Sequence, residues 1–461
     1  MTYVAQGTLD STSDQSSLID LSQLLDFGQW SALQKAIALL SALAIVFDGM
    51  DIQMMGFAIP AMAKDWGVAR SAFTSILALG LFGVALGTAF GGLLGDRFGR
   101  RSALIANVAL FGAATLGIAF THSLTTLLIL RLIAGAGIGG ALPNATTLTA
   151  EFTPLSKRPL AVTLAIVCIP VGGVLAGLIA AHVLSAGSWR TLFWIGGLSP
   201  ILLAVALTIL LPESPKYMAR HSNQRAKLIE LLRRIGRPVP GNAQFREPVQ
   251  FKGDGKGIGI ALFGPGQLRN TLPLWTAFFL CLISVYLVFN WLPSLLTGHG
   301  LDIKVASEGL AAYNFGGIFG AISFAWWIGK RGSRVPLLVS SAAGVATALV
   351  LRVMPIGTPG NHTVLLGALA AHGLFVNATQ TTMYALAAHI YTTRVRATGV
   401  AAALAVGRTG AILSAYLGSH ILRLGSDVYF NALAIGMTGC FVALLVLKTH
   451  IDIAPENAQP G

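Results

Sequence analysis

Two carboxylates, Asp48 and Asp51, stand three residues apart in the otherwise apolar stretch "FDGMDIQ". In a helix that spacing puts both on one face. Neighbouring carboxylates in low dielectric resist ionising together, so at least one is expected to titrate in the working pH range and carry a proton. The alternative is a static pair with an arginine, or a polar lining for a water path. Arg408 lies ten residues into another apolar run. Its planar, permanently charged fork matches a carboxylate, which makes it the first choice for binding a carboxylate ligand. A structural ion pair with Asp48 or Asp51 is the alternative, and an exchange of partners accommodates both. His372 lies about midway along a further run, where a lone histidine is more often a hydrogen-bonded core residue than a proton carrier.

These residues need apolar elements to hold them. Of 461 residues, 31 are Lys or Arg and 18 are Asp or Glu, so 11% are charged and 54% hydrophobic. A soluble domain carries roughly 25% charge, and a mean hydropathy of +0.71 points to lipid as the solvent. Each membrane helix needs roughly 20 mostly apolar residues. Twelve such runs fall at about 36–61, 72–95, 102–121, 125–150, 160–184, 190–211, 272–297, 307–329, 335–354, 362–387, 398–423 and 427–449. The expected fold is all-α and integral to the membrane, with twelve transmembrane helices in two pseudo-symmetric six-helix bundles, 36–211 and 272–449. A polar central loop, 212–271, joins them, and tails cover 1–35 and 450–461. The first tail, rich in Ser, Thr and Asp, reads as flexible and shows no signal peptide. The stretch "AKLIELLRRI", 226–235, reads as a short amphipathic helix on the inner leaflet or capping the bundle.

With the N-terminus inside, 23 basic residues face the cytoplasm and six face out, so both termini are expected to be cytoplasmic. The formal charge of +13 is spread between apolar segments, the footprint of topology and not of nucleic-acid binding. Cys168, Cys281 and Cys440 lie in apolar runs without metal or disulfide spacing. No P-loop, nucleophile motif or metal-spaced ligand set is present, so no enzyme activity and no cofactor is expected.

The loop after the second run reads "GGLLGDRFGRR", with Asp96, Arg97, Arg100 and Arg101, and the fourth run opens "RLIAGAGIGG" at Arg131. In this order and with twelve spans, these motifs resemble the major facilitator superfamily along nearly the whole chain. Narrower stretches are "DGMDIQ" at 48–53, "ALPNATTLTAEF" at 141–152, "LPESP" at 211–215, "NWLP" at 290–293 and "RATGVAAALAVGRTGA" at 396–411. They resemble the aromatic acid:proton symporter family, whose members import benzoate-type acids with protons across the bacterial inner membrane. Met50 stands where that family's first-span motif usually has another apolar or aromatic residue.

The resemblance implies alternating access, with protons as the coupling ion and an aromatic carboxylate as substrate; a twelve-span bundle is sufficient to work as a monomer in the bilayer. It adds Arg131 to Asp48 and Asp51 as proton-coupling candidates, with structural hydrogen bonding as an equal alternative. A flat slot for the ring is expected from Phe47, Tyr286, Phe289, Trp291, Tyr313, Phe315 and Tyr384, with Asn290, Asn314, Asn377 and Gln380 for ring hydroxyls. Asp96, Arg97, Arg100 and Arg101, with Glu151, Arg158 and Arg396 at the cytoplasmic helix ends, are expected to latch the two bundles in one state. In the second half "GKRGSR", 329–334, puts Lys330 where the first half has Asp96. Two other readings stay open: proton-driven efflux of amphipathic compounds, and import of a non-aromatic organic anion. "CIPVGGVLAG" at 168–177 lacks the Gly-Pro pair typical of antiporters and leans towards symport. A membrane sensor would need a signalling domain, for which the central loop is too short.

Overall fold

A computed structural model describes residues 18–241, 243–245, 264, 267–357, 361–391 and 396–451. Two dipeptide strands, β1 (Leu18–Ile19) and β2 (Gln244–Phe245), pair in parallel. Between them run α1 (Leu21–Asp26), α2 (Ala32–Trp66), α3 (Thr74–Phe98), α4 (Arg100–Ile118), α5 (Leu124–Phe152), α6 (Arg158–Val183), α7 (Trp189–Leu210), α8 (Pro215–Ala219) and α9 (Arg225–Arg234). The second half holds α10 (Leu268–Gly298), α11 (Ile303–Arg331), α12 (Arg334–Val353), α13 (His362–Ile390), α14 (Arg396–Ile421) and α15 (Ser426–Val446). Twelve of these, α2 to α7 and α10 to α15, are long helices. Ten are apolar enough on their own to cross a membrane. The other two, α11 and α13, are diluted by polar residues that they bury, among them Asn314, His372, Asn377 and Thr379.

The halves repeat one packing scheme. In the first, α3 packs on α5, α2 on α6 and α4 on α7; in the second, α11 packs on α13, α10 on α14 and α12 on α15. Small residues permit the close crossings. A Cβ on Gly87 of α3 would overlap the Ala136 carbonyl of α5, and one on Gly320 of α11 would overlap the Leu374 carbonyl of α13. Across the halves, α2 meets α10, α3 meets α14 and α6 meets α11.

The cross-bundle seal lies towards the end opposite the termini, here the distal end. Gln53 and Asn314 exchange two side-chain hydrogen bonds of 3.2 and 2.7 Å. Arg70, in a short 3-10 turn ahead of α3, donates to the Ser294 carbonyl in the last turns of α10. Pro293 has no N–H to offer the Phe289 carbonyl, and Gly56 of α2 sits so close to that carbonyl that a Cβ would overlap it.

The tail expected to be flexible is ordered from Leu18 onward. Leu21 and Leu25, four apart on α1, are buried, and Asp26 pairs with Arg158 at the start of α6. Arg237 of the central connection donates to the Leu24 carbonyl. The apolar pair gives one face of this short helix a core to join, which overrides the polar composition around it. In the central connection α9 buries Leu228, Leu231 and Leu232. Residues 1–17, 246–263 and 452–461 lie outside the described residues, as does the side chain of Arg396.

Candidate functional site

The acidic pair on α2 divides its partners. Asp51 is fully buried, accepting 3.0 Å from Arg131 of α5 and 2.5 Å from the Thr115 hydroxyl of α4. Both of its oxygens are therefore tied inside the first bundle. Asp48, one helical turn earlier, is 2% exposed, and its Oδ1 has no hydrogen-bond partner among the described residues. Its charged neighbours are Arg408 of α14, across the bundle interface, and Asp51. Close helix packing holds the pair in place: Cβ atoms on Gly49 of α2 and Gly172 of α6 would overlap the Ile169 and Val46 carbonyls respectively.

Arg408 donates 2.6 Å to the Tyr286 hydroxyl of α10, with its guanidinium carbon 5.9 Å from that ring. Tyr384 of α13 and Asp48 complete its electrostatic surroundings. From Tyr286 a ladder of rings runs through Phe289 at 5.6 Å and Tyr313 at 6.1 Å to His372 at 5.9 Å. Half-buried Tyr384 stands edge-on to Phe278, 5.6 Å away, and has Gln380 beside it on α13. Phe47 is half-buried one residue before Asp48, and the buried Asn290 side-chain nitrogen has no partner among the described residues. The arrangement is one cation and one carboxyl with no hydrogen-bond partner among the described residues, within electrostatic reach of each other across the bundle interface and flanked by aromatic rings and phenols. It can hold an aromatic carboxylate against the cation and a proton on the carboxyl.

Other slot candidates lie elsewhere. Trp291 is fully buried against Gly418, about 15 Å further along α14 than Arg408 at helical rise, and belongs to the distal seal. Phe315 is 54% exposed and meets Phe319 edge-on on the outside of the bundle. Asn377 bonds its own helix at Gly373, 3.0 Å, and lies against Gly317 of α11. His372 accepts or donates at Nδ1 with Thr347, 2.9 Å, inside the second bundle.

The latch candidates of the first half find partners in their own bundle or the connection that follows it, and among the described residues none pairs across the interface. Asp96 pairs with Arg100 at 2.6 Å, and Arg100 also reaches Asn144 at 3.4 Å. Arg101 donates its backbone N–H to Glu213 at 2.9 Å and its guanidinium to the Thr208 carbonyl at 2.6 Å. Glu151 accepts from the Ser214 hydroxyl, Arg158 from α6 bonds the Ala150 carbonyl at 2.8 Å, and Arg97 lies over Phe98 at 5.4 Å. Lys330 rests over Trp326, 4.1 Å from the ring. The reason is geometric: with the bundles in contact at the distal end, these residues at the other end have only their own bundle to pair with.

Reading the sequence alone missed Thr115, a lone hydroxyl in an apolar run with no motif to mark it. It also missed Gln53, although that residue closes the "DGMDIQ" stretch. Among the described residues no group of three or more His, Cys, Asp or Glu side chains is placed to hold a metal, and the three cysteines are free.

Two bundles of repeated topology, sealed at one end around a buried charged centre, define a secondary transporter. The family model for the Major Facilitator Superfamily matches residues 41–415, and the chain belongs to that superfamily. Solved structures agree on the fold: the D-xylose–proton symporter superposes with a TM-score of 0.69 at 18% identity, covering 92% of this chain and 98% of that one. The inward-open xylose transporter XylE from E. coli superposes with the same TM-score, identity and coverage. Curated relatives are closer. The 4-hydroxybenzoate transporter PcaK of Acinetobacter baylyi is 33% identical over 95% of this chain and 96% of its own length. A gallate transporter of Pseudomonas putida is 32% identical over 93% and 94%, and the 3-(3-hydroxy-phenyl)propionate transporter of Escherichia coli is 31% identical over 88% and 91%. Within the superfamily, the chain is a member of the aromatic acid:proton symporter family.

Proposed function

We propose that the protein imports a hydroxylated aromatic monocarboxylate together with a proton across the bacterial inner membrane, as a monomer with both termini in the cytoplasm. The observation that carries this reading is the unpaired carboxyl of Asp48 facing Arg408, which Tyr286 orients beside a ladder of rings. Relatives named for 4-hydroxybenzoate, gallate and a hydroxyphenylpropionate all transport acids with ring hydroxyls. Gln380 and Asn290 offer hydrogen-bonding groups for such hydroxyls.

In this reading the distal end is the outside, and the structure is closed there. While Asp48 is ionised it serves Arg408 as a counter-charge. Its protonation from outside leaves the guanidinium free for the substrate carboxylate, in the two-point geometry that arginine favours. Substrate anion and Arg408 then neutralise each other, Asp48 is neutral, and the loaded centre crosses between states with its charge balanced. Rocking of the bundles around the fixed centre exposes it to the cytoplasm, where proton and acid leave. Asp51 stays with Arg131 and Thr115 throughout.

The test is uptake of labelled 4-hydroxybenzoate into energised membrane vesicles, with competing aromatic acids. Accumulation should collapse with a protonophore. Asp48→Asn should lose accumulation yet keep exchange of internal for external substrate, because exchange needs binding but no net proton movement. Arg408→Lys should lose both. If wild-type vesicles neither accumulate the acid nor show competition by its analogues, the substrate assignment is wrong. Full accumulation by Asp48→Asn would remove this residue from the proton path.

A further inference from the structure

A second feature of the distal end is unrelated to the central charges. Between the ends of α10 and α14 lies a cavity of about 430 Å³, within the roughly 300–1,000 Å³ of small-molecule sites. Arg70, Arg423 and His299 line it from three segments, and Arg423 and His299 are exposed, so it opens at the distal surface. Its floor includes Trp291 and Ser294, both fully buried. The Trp291 indole N–H and the Ser294 hydroxyl have no hydrogen-bond partner among the described residues. A buried donor left unmatched costs free energy. Two such unmatched donors at the floor and two arginines in the lining suit the cavity to an anion such as a carboxylate.

Arg70 also lines a second, larger cavity of about 1,040 Å³ together with Lys64. Its guanidinium is held at the negative end of the α10 dipole by the Ser294 carbonyl, one of the bonds that tie the first bundle to the second. A carboxylate is a stronger acceptor than a neutral carbonyl.

We propose that this cavity is an outer capture site for the substrate carboxylate, and that the captured anion draws Arg70 off Ser294 and so loosens the distal seal. Arg423 brings the anion in, Trp291 and Ser294 fix it, and Arg70 couples its arrival to opening. The assignment rests on the aromatic-carboxylate reading of the central site, and the outer cavity supplies the order of events.

The experiment uses the full-length chain in proteoliposomes, with labelled 4-hydroxybenzoate presented in turn at each face. For Arg423→Gln, KM at the outer face should rise about tenfold, the loss of one charge-assisted hydrogen bond, with kcat within about twofold. KM at the cytoplasmic face should not move. Wild-type outer KM should increase with ionic strength, and the variant should lose most of that slope. Trp291→Phe keeps a ring against Gly418 but removes the N–H, and should raise outer KM about fivefold. Equal shifts at both faces, or an unchanged outer KM in both variants, would overturn the capture site while leaving the central reading intact. Absence of saturable wild-type transport at either face would overturn both.

Discussion

At the scale of single residues, the two aspartates of α2 have different surroundings, although they share one helix face and one motif. Asp51 has both oxygens engaged, and Arg131 is 6% exposed at its side chain. Removing one partner of a buried ion pair leaves the other charge uncompensated, at a cost of about 3–5 kcal/mol. Asp51→Asn should therefore lower thermal stability in detergent by several degrees, and Asp51→Asn combined with Arg131→Gln should recover much of the loss. A thermal melt of the two variants beside the wild type separates this from a proton-carrying role, since a carrier would lose coupling with its melting temperature intact. The sequence placed Asp48, Asp51 and Arg408 at the centre, because an ionisable group within an apolar run is legible by its rarity. It left open which carboxyl was static, because that depends on Thr115 and Arg131 arriving from α4 and α5, and spacing along α2 carries no trace of either.

At the scale of elements, glycines on one helix serve two different interfaces. Gly49 of α2 lets α6 approach inside the first bundle, whereas Gly56, two turns on, meets Phe289 of the second bundle at the distal seal. A methyl group at Gly49 must push packed backbone apart in every state, at roughly 1–3 kcal/mol. Gly49→Ala should reduce the yield of folded protein and its melting temperature. Gly56→Ala meets its obstacle only when the distal end is closed. It should fold normally, favour the distal-open state and slow uptake about tenfold or more, and thiol labelling of a cysteine introduced at the distal rim should accelerate. Equal melting temperatures and equal labelling in the two variants would contradict this division. The twelve long helices and the repeat of six were legible from hydropathy, as were the motifs at their ends. The seal was not, because Gln53 with Asn314 and Arg70 with Ser294 are separated by more than 200 positions in the chain. Nor was the docking of α1, whose Leu21 and Leu25 are too short a pattern to stand out in a polar tail.

At the scale of the whole molecule, the assignment of one free carboxyl to the central site sets the energetics of transport. An anion driven into a negative interior works against about 2.3 kcal/mol per charge per 100 mV, a factor of about 50 in the accumulation ratio. In the proposed mechanism one proton carried on Asp48 cancels the charge of a monocarboxylate, while Asp51, bonded to Arg131 and Thr115, is assigned none. Transport should then be electroneutral. In proteoliposomes with an imposed pH difference of one unit, accumulation of labelled 4-hydroxybenzoate should approach tenfold, since the proton gradient alone is converted into a substrate gradient. Clamping a 100 mV potassium diffusion potential, negative inside, should leave that ratio unchanged. Were a second proton to move with each anion, the same potential would multiply accumulation by about 50, and the second carrier would have to be sought at Asp51. The two outcomes differ by more than an order of magnitude, so one flux measurement with and without the potential decides between a single working aspartate and a pair.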